Sequence, residues 1–150
     1  NGEPPYYGDD VTWKSAVYLN YLSAYMANNP KIHNPGYNTF RDLGSSEYGL
    51  LDKINFFRGI INTFNHVYQQ LYTIDMSTDY TKLDVPVYFF LGRYDVNAPT
   101  VLVEEYMKVL DAPDKKIVWF EHSGHSPWIN EPEKFVMEVL SCFSKSKREE

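Results

Sequence analysis

The sequence predicts an α/β chain, with an all-α first half followed by two parallel strands and their flanking helices. Three observations carry that prediction. Apolar residues recur at a helical period from about residue 11 to Ile74, with no strand signal among them. Two short apolar runs, Val87-Tyr88-Phe89-Phe90-Leu91 and Lys116-Ile117-Val118-Trp119-Phe120, stand in the second half with one helical segment between them. Apolar throughout rather than alternating, such runs are expected of parallel strands buried on both faces.

Taken in order, residues 1–10 read as loop, because the adjacent Pro4 and Pro5 cannot sit inside a helix. Trp13, Ala16, Val17, Asn20, Tyr21, Ala24 and Tyr25 then fall at i, i+3, i+4 spacing and predict a helix over residues 11–28. Asp9, Asp10 and Thr12 are its cap candidates, and Asn28-Asn29-Pro30 ends it. Pro30, Pro35, Gly36 and Gly44 make residues 30–44 an irregular segment. A second helical zone runs from Leu50 through Ile54, Phe57, Ile61 and Phe64 to about Ile74, with a kink or break expected at Gly59. Residues 76–84 are polar and read as a linker between a helical segment, residues 1–75, and an α/β segment, residues 85–150. Between the two strands, Val101–Leu110 reads as a helix with Leu102, Tyr106, Val109 and Leu110 facing the core. A closing helix from Glu131 to Phe143 turns Phe135, Val136, Val139, Leu140 and Phe143 inward, and the charged tail from Ser144 frays.

Composition excludes several functions. At a net charge of −6 the chain offers no basic stripe for nucleic acid or for an anionic membrane surface. No apolar run approaches the roughly 18–20 residues needed to span a bilayer. Cys142 is the only cysteine, so no internal disulfide forms, and a reducing cytoplasm fits. An aromatic content of 17% predicts broad amphipathic surfaces, as in a lined cleft or a face between subunits.

The chemistry concentrates after the two strands. In open α/β sheets functional groups gather at the carboxyl ends of strands. Asp95 follows the first run by four residues and His125 follows the second by five. If the strands are neighbours, both loops open on one edge. The Asp can then accept the ring N–H of the His, fix its tautomer and leave the other nitrogen as a general base. His122 is the weaker candidate base. A metal held by His122 and His125 lacks a third ligand placed to help.

Three motifs in succession make the pattern specific. Leu83-Asp84-Val85-Pro86-Val87 leads into the first strand. Gly92-Arg93-Tyr94-Asp95-Val96-Asn97-Ala98-Pro99 follows it as Gly-x-x-Asp-x-x-x-Pro. Phe120-Glu121-His122-Ser123-Gly124-His125-Ser126-Pro127 follows the second strand, and Glu131-Pro132-Glu133-Lys134-Phe135 opens the last helix. Over residues 83–143 this resembles the α/β-hydrolase fold superfamily, in particular its proline-iminopeptidase-like branch. The resemblance implies that residues 85–150 are the C-terminal part of an α/β-hydrolase sheet. Residues 1–75 are then an all-α cap, with Glu47–Ile54 similar to a stretch of that cap.

By position, the resemblance makes Asp95 the triad acid and His125 the general base of a cofactor-free Ser-His-Asp hydrolase. The implied substrate is a small-molecule ester, an amide or a short peptide. The family's nucleophile sits on a Gly-x-Ser-x-Gly elbow upstream of the cap, and no such motif occurs in this sequence. Gly44-Ser45-Ser46-Glu47-Tyr48-Gly49 comes nearest, with a spacing one residue too long and no strand before it. The implied partner is therefore the missing N-terminal part, and the chain alone is expected not to turn over. A nucleophilic Asp in that elbow, as in dehalogenases or epoxide hydrolases, stays open. In aminopeptidases of the branch a Glu often follows the triad Asp and helps to bind the substrate's free amine; here Val96 stands there. The alternative from another class is a non-catalytic interaction module, a homo-oligomer or swapped dimer associating through exposed strand edges. The cap aromatics Trp13, Tyr18, Tyr21, Tyr25, Phe56, Phe57 and Phe64 read mainly as core.

Overall fold

A computed structural model describes residues 11–34 and 36–146. The expected N-terminal loop, its cap candidates Asp9 and Asp10, and the last four residues of the tail lie outside the described residues. The chain divides into two compact units. One comprises residues up to Tyr21 together with Asn38–Asp75, and the other Leu22–Tyr37 together with the residues from Met76 onward. The division falls within helix α1, Val11–Ala27.

The described residues of the first unit are helical. The segment expected to be irregular over 30–44 contains a short helix, α2, at Thr39–Leu43. It forms because Asn38 caps it reciprocally: its Oδ1 accepts the Arg41 N–H at 2.9 Å while its own N–H donates to Asp42 at 3.0 Å. Helix α3, Leu50–His66, begins where the Asp52 carboxylate accepts the Gly49 N–H at 2.9 Å. It runs as one helix through Gly59, so the break expected there is absent. A Gly in a helix interior costs only about 1 kcal/mol, and the hydrogen-bond ladder on either side outweighs that. The helical zone then reaches Thr73, close to the expected end near Ile74, but changes its winding on the way. Val67, at φ −109° and ψ −40° still in the right-handed helical region, joins α3 to a tighter 3-10 helix at Tyr68–Thr73.

Several aromatics expected in the core are exposed, namely Tyr18, Tyr21, Tyr25 and Phe57. Phe56 and Phe64 are half-buried, and the Trp13 side chain lies outside what is described. Phe57 packs edge-on against Phe56 and tilted against Phe40, so the ring cluster is local to its own helices.

The second unit holds the sheet. β1, Val87–Gly92, pairs in parallel with β2, Lys115–Phe120, in the register Val87 to Lys115 through Gly92 to Phe120. The polar segment before β1 is more ordered than a plain linker. Met76–Asp79 form a helical turn, α4, and Lys82 bridges to Asp111. Helix α5, Thr100–Val109, joins the strands, and Tyr106 anchors it by donating its hydroxyl to the Tyr80 carbonyl at 2.6 Å. After β2 come a short helix that the apolar pattern did not foretell, α6 at Pro127–Asn130, and the closing helix α7, Pro132–Ser146.

Phe120, Leu110, Val118 and Tyr106 are the buried centre of this unit. Phe90, Phe120 and Phe135 meet one another at ring separations of 5.4–6.0 Å, and Trp128 extends the cluster. Around that centre the expected burial is incomplete. β1 is only half-buried along most of its length, and Leu102, Val109, Val136, Leu140 and Phe143 are exposed. A two-stranded sheet with a few short helices and one long one covers its faces incompletely, which leaves part of the apolar surface of α5 and α7 exposed. Among the described residues no helix is long and apolar enough to cross a membrane.

Candidate active site

The parallel register places Gly92 and Phe120 side by side, so the loops that follow them leave the sheet together. Their backbones are joined directly. Arg93 donates its N–H to the Phe120 carbonyl at 2.9 Å, and Tyr94 donates to the Ser123 carbonyl at 3.0 Å. The approach is so close that a Cβ on Gly92 would lie 2.0 Å from the Gly124 carbonyl oxygen. Only glycine fits there. On the outer side, the Arg93 guanidinium stacks 3.8 Å over the Trp119 ring and holds Glu121 with two hydrogen bonds of 2.7 and 2.9 Å.

Asp95 is held by its own turn. Its Oδ1 accepts the backbone N–H of Asn97 at 2.9 Å and of Ala98 at 3.0 Å. Oδ2 is left to face His125, whose Nδ1 lies 2.8 Å away. A carboxylate can only accept, so Nδ1 carries the proton, and Nε2 is the nitrogen free to take one. The Asp95 side chain is 10% exposed and that of His125 46% exposed. Thus the acid is shielded and the base is reachable.

The electrostatics follow from the contact. Burial pushes the Asp95 carboxyl up, but the His125 ring and the N–H groups of Ala98 and Asn97 together hold it below the usual carboxylate range. The hydrogen bond to Asp95 raises His125 above its ordinary value, against the opposing effect of burial. A cleft of about 760 Å³ opens beside the pair, and its lining includes Asp95, Ala98 and His125 together with the rings of Phe90, Trp128 and Phe135.

Among the residues singled out from sequence, Asp95 and His125 are therefore brought into contact. His122 is not part of that contact: its ring stacks on His33 at 4.0 Å. Ser123 and Ser126 are both buried, and Ser123 Oγ donates to Glu131 at 2.6 Å. Among the described residues no cluster of three His, Cys, Asp or Glu could hold a metal ion. Asn130 and Glu131 grip the His125 loop from α6 and the start of α7; sequence patterning marks Glu131 only as the opening of the last helix and does not single out Asn130. Glu131 accepts the His122 N–H at 2.9 Å, and Asn130 Oδ1 accepts the Gly124 N–H at 3.2 Å. An Asn at the end of a four-residue helix carries no pattern that separates it from a surface cap.

Neither a family model nor a solved structure matches the chain. It is similar to a probable aminopeptidase, YbaC, of Bacillus subtilis, 32% identical over 97 residues, which are 65% of this chain and 30% of that protein. It is also similar to pimeloyl-[acyl-carrier protein] methyl ester esterases. That of Vibrio vulnificus is 34% identical over 51% of this chain and 29% of its own length. That of Nitrosomonas europaea is 34% identical over 49% of this chain and 27% of its own length. The chain thus covers less than a third of the length of each of these relatives. Modest in identity and partial in coverage, these similarities support a relationship to the α/β hydrolases.

Proposed function

We propose that this chain is the acid-and-base part of a serine hydrolase that cleaves a carboxylic ester, amide or peptide bond. The observation that carries the reading is the 2.8 Å contact between Asp95 Oδ2 and His125 Nδ1 at the carboxyl ends of two parallel strands. In this reading residues 1–75 are a helical cap, 76–84 a linker, and 85–150 the C-terminal part of the catalytic core. The partner is the N-terminal part of the hydrolase, which supplies the nucleophilic serine and the oxyanion donors. His125 Nε2 takes the serine proton as Oγ attacks the carbonyl carbon, and Asp95 stabilises the imidazolium that forms. The proton then passes to the leaving group, and water hydrolyses the acyl-enzyme by the same route in reverse.

Val96 beside the acid cannot pair with an ammonium group. An ester or amide without a free amine therefore fits better than an aminopeptidase substrate. The apolar wall of the cleft, Phe90, Trp128 and Phe135, suits an acyl or aryl group. Cys142 would remain a thiol in a reducing cytoplasm.

The test uses the chain alone and the chain assembled with a polypeptide bearing a Gly-x-Ser-x-Gly elbow. Alone, it should neither react with a fluorophosphonate probe nor cleave a p-nitrophenyl ester. Assembled, it should do both, and His125→Ala should lower kcat/KM by about 10³-fold or more while His122→Ala leaves it within a few-fold. Turnover that depends on His122 rather than His125 would sink the assignment.

A further inference from the structure

We infer that Asn130 is a positioning residue that fixes the loop carrying His125, and with it the Asp95–His125 contact. This deepens the reading of that pair as a catalytic acid and base and rests on it. Asn130 is 3% exposed, yet its side chain uses both of its chemical functions. Oδ1 accepts the N–H of Gly124, the residue immediately before His125, at 3.2 Å. Nδ2 donates to the carbonyls of His33 at 2.9 Å and Asn34 at 3.0 Å. Asn34 answers by donating its own Nδ2 to the Asn130 carbonyl at 3.2 Å.

One planar amide therefore joins two chain segments nearly a hundred residues apart in sequence. No other side chain of this size can do so. A carboxylate has no proton for the two carbonyls, and an aliphatic group has neither donor nor acceptor.

The surroundings show what the joint controls. Asp95 is fixed by its own turn on the β1 side. The position of His125 depends on residues 122–124, and each of these is tied. The His122 N–H goes to Glu131, while the His122 carbonyl accepts the His33 N–H at 2.9 Å. The Ser123 hydroxyl goes to Glu131, and the Ser123 carbonyl accepts from Tyr94. Only the Gly124 tie runs through Asn130 to the segment around Asn34. Asn34 sits there at φ 59°, a left-handed backbone that asparagine tolerates and that the bond to Asn130 holds. A Cβ on Gly124 would lie 3.0 Å from the Met26 sulfur and 3.1 Å from Ile32, so the loop passes there as bare backbone, and Asn130 supplies the polar tie for its N–H. No such strut is needed simply to end α6, because the Asn130 N–H is already satisfied by the Ser126 carbonyl.

The experiment is a ¹H–¹³C titration of the four histidine rings in the full chain, with hydrogen exchange at the Gly124 amide. In the wild type, His125 should titrate above its ordinary value. Asn130→Ala should lose most of that elevation and speed Gly124 exchange about tenfold or more. Asn34→Gly relieves the left-handed backbone and deletes only the returning bond, so it stays folded where Asn130→Ala does not. It should shift His125 in the same direction by a smaller amount. A folded variant of either kind, judged by circular dichroism, in which His125 titrates as in the wild type overturns the inference. Asp95→Asn is the separate arm: if it leaves His125 unchanged, the acid–base reading itself fails, whatever Asn130 does.

Discussion

At the scale of single residues, the contact between Asp95 and His125 has a pH signature whose sign is fixed by the direction of each shift. His125 is raised in the folded chain, foremost by its hydrogen bond to Asp95. Its stabilising effect is complete below the unfolded histidine value near ~6.5 and is lost as pH rises through the folded value. Asp95 is lowered in the folded chain. Its stabilising effect is complete above the unfolded carboxyl value near ~3.9 and is lost as pH falls through the folded value. Both are complete together only between about pH 4 and 6.5. Replacing Asp95 by Asn removes the charge yet keeps the shape, and costs on the order of 1–3 kcal/mol through the acceptors it weakens. The difference in melting temperature between wild type and Asp95→Asn should therefore be largest in that window and shrink towards pH 9. Thermal melts at four or five pH values measure it, and a flat difference from pH 5 to 9 would show that the two groups are not coupled. In an assembled enzyme the same shift should place the acid limb of kcat/KM above His125's ordinary value, because only the neutral ring accepts a proton.

At the scale of elements, two glycines in ordinary-looking sequence have opposite meanings, and the difference shows what a sequence can and cannot disclose. Gly59 lies in the middle of α3, where an added Cβ would meet nothing within 4 Å. Gly59→Ala should raise the midpoint of helix loss, read by far-UV circular dichroism, by about 0.5–1 kcal/mol. Gly92 ends β1 against the backbone of the His125 loop, where the same methyl would collide with the Gly124 oxygen. Gly92→Ala should cost about 2–3 kcal/mol or more and return His125 towards its ordinary titration, because backbone cannot move aside as a side chain can. Equal effects at the two sites would contradict the packing described. From sequence, Gly59 reads as a break and Gly92 as part of a motif. Yet the break is absent, because a lone glycine cannot overcome a ladder of helical bonds. The strands were legible because Val87–Leu91 and Ile117–Phe120 are continuous apolar runs, a signal that depends on nothing distant. Asp95 and His125 were legible because each follows such a run at short range. Asn130 was not, since its partners at Gly124, His33 and Asn34 combine near and far positions that no period links.

At the scale of the whole molecule, the apolar pattern of the sequence exceeds what the chain buries. Val136, Leu140 and Phe143 recur at i, i+4 and i+7 on α7, spacing that puts them on one side of the helix, and each is more than half exposed. Such spacing ordinarily marks the side of a helix turned to a core. Of the five residues expected to face inward, Phe135 and Val139 are half-buried and these three are exposed, so the helix forms as expected while its burial is partial. Among the described residues β1 pairs with no strand but β2, so each strand of the sheet is also an edge. An exposed apolar stripe and open strand edges each favour association, whether with a complementary chain or with a second copy. At tens of micromolar the chain should therefore scatter light with a mass above the 17.5 kDa of one copy. Leu140→Glu should lower that mass without reducing helix content, since an exposed substitution changes folding by only about 0.5 kcal/mol, and its added charge opposes contact between chains that each carry −6. A wild-type chain that stays monomeric across that range would mean that the exposed stripe and edges are too small to draw a partner by themselves. Occupancy of the cleft beside His125 would then depend on a partner matched to it by shape and hydrogen bonding rather than on apolar area.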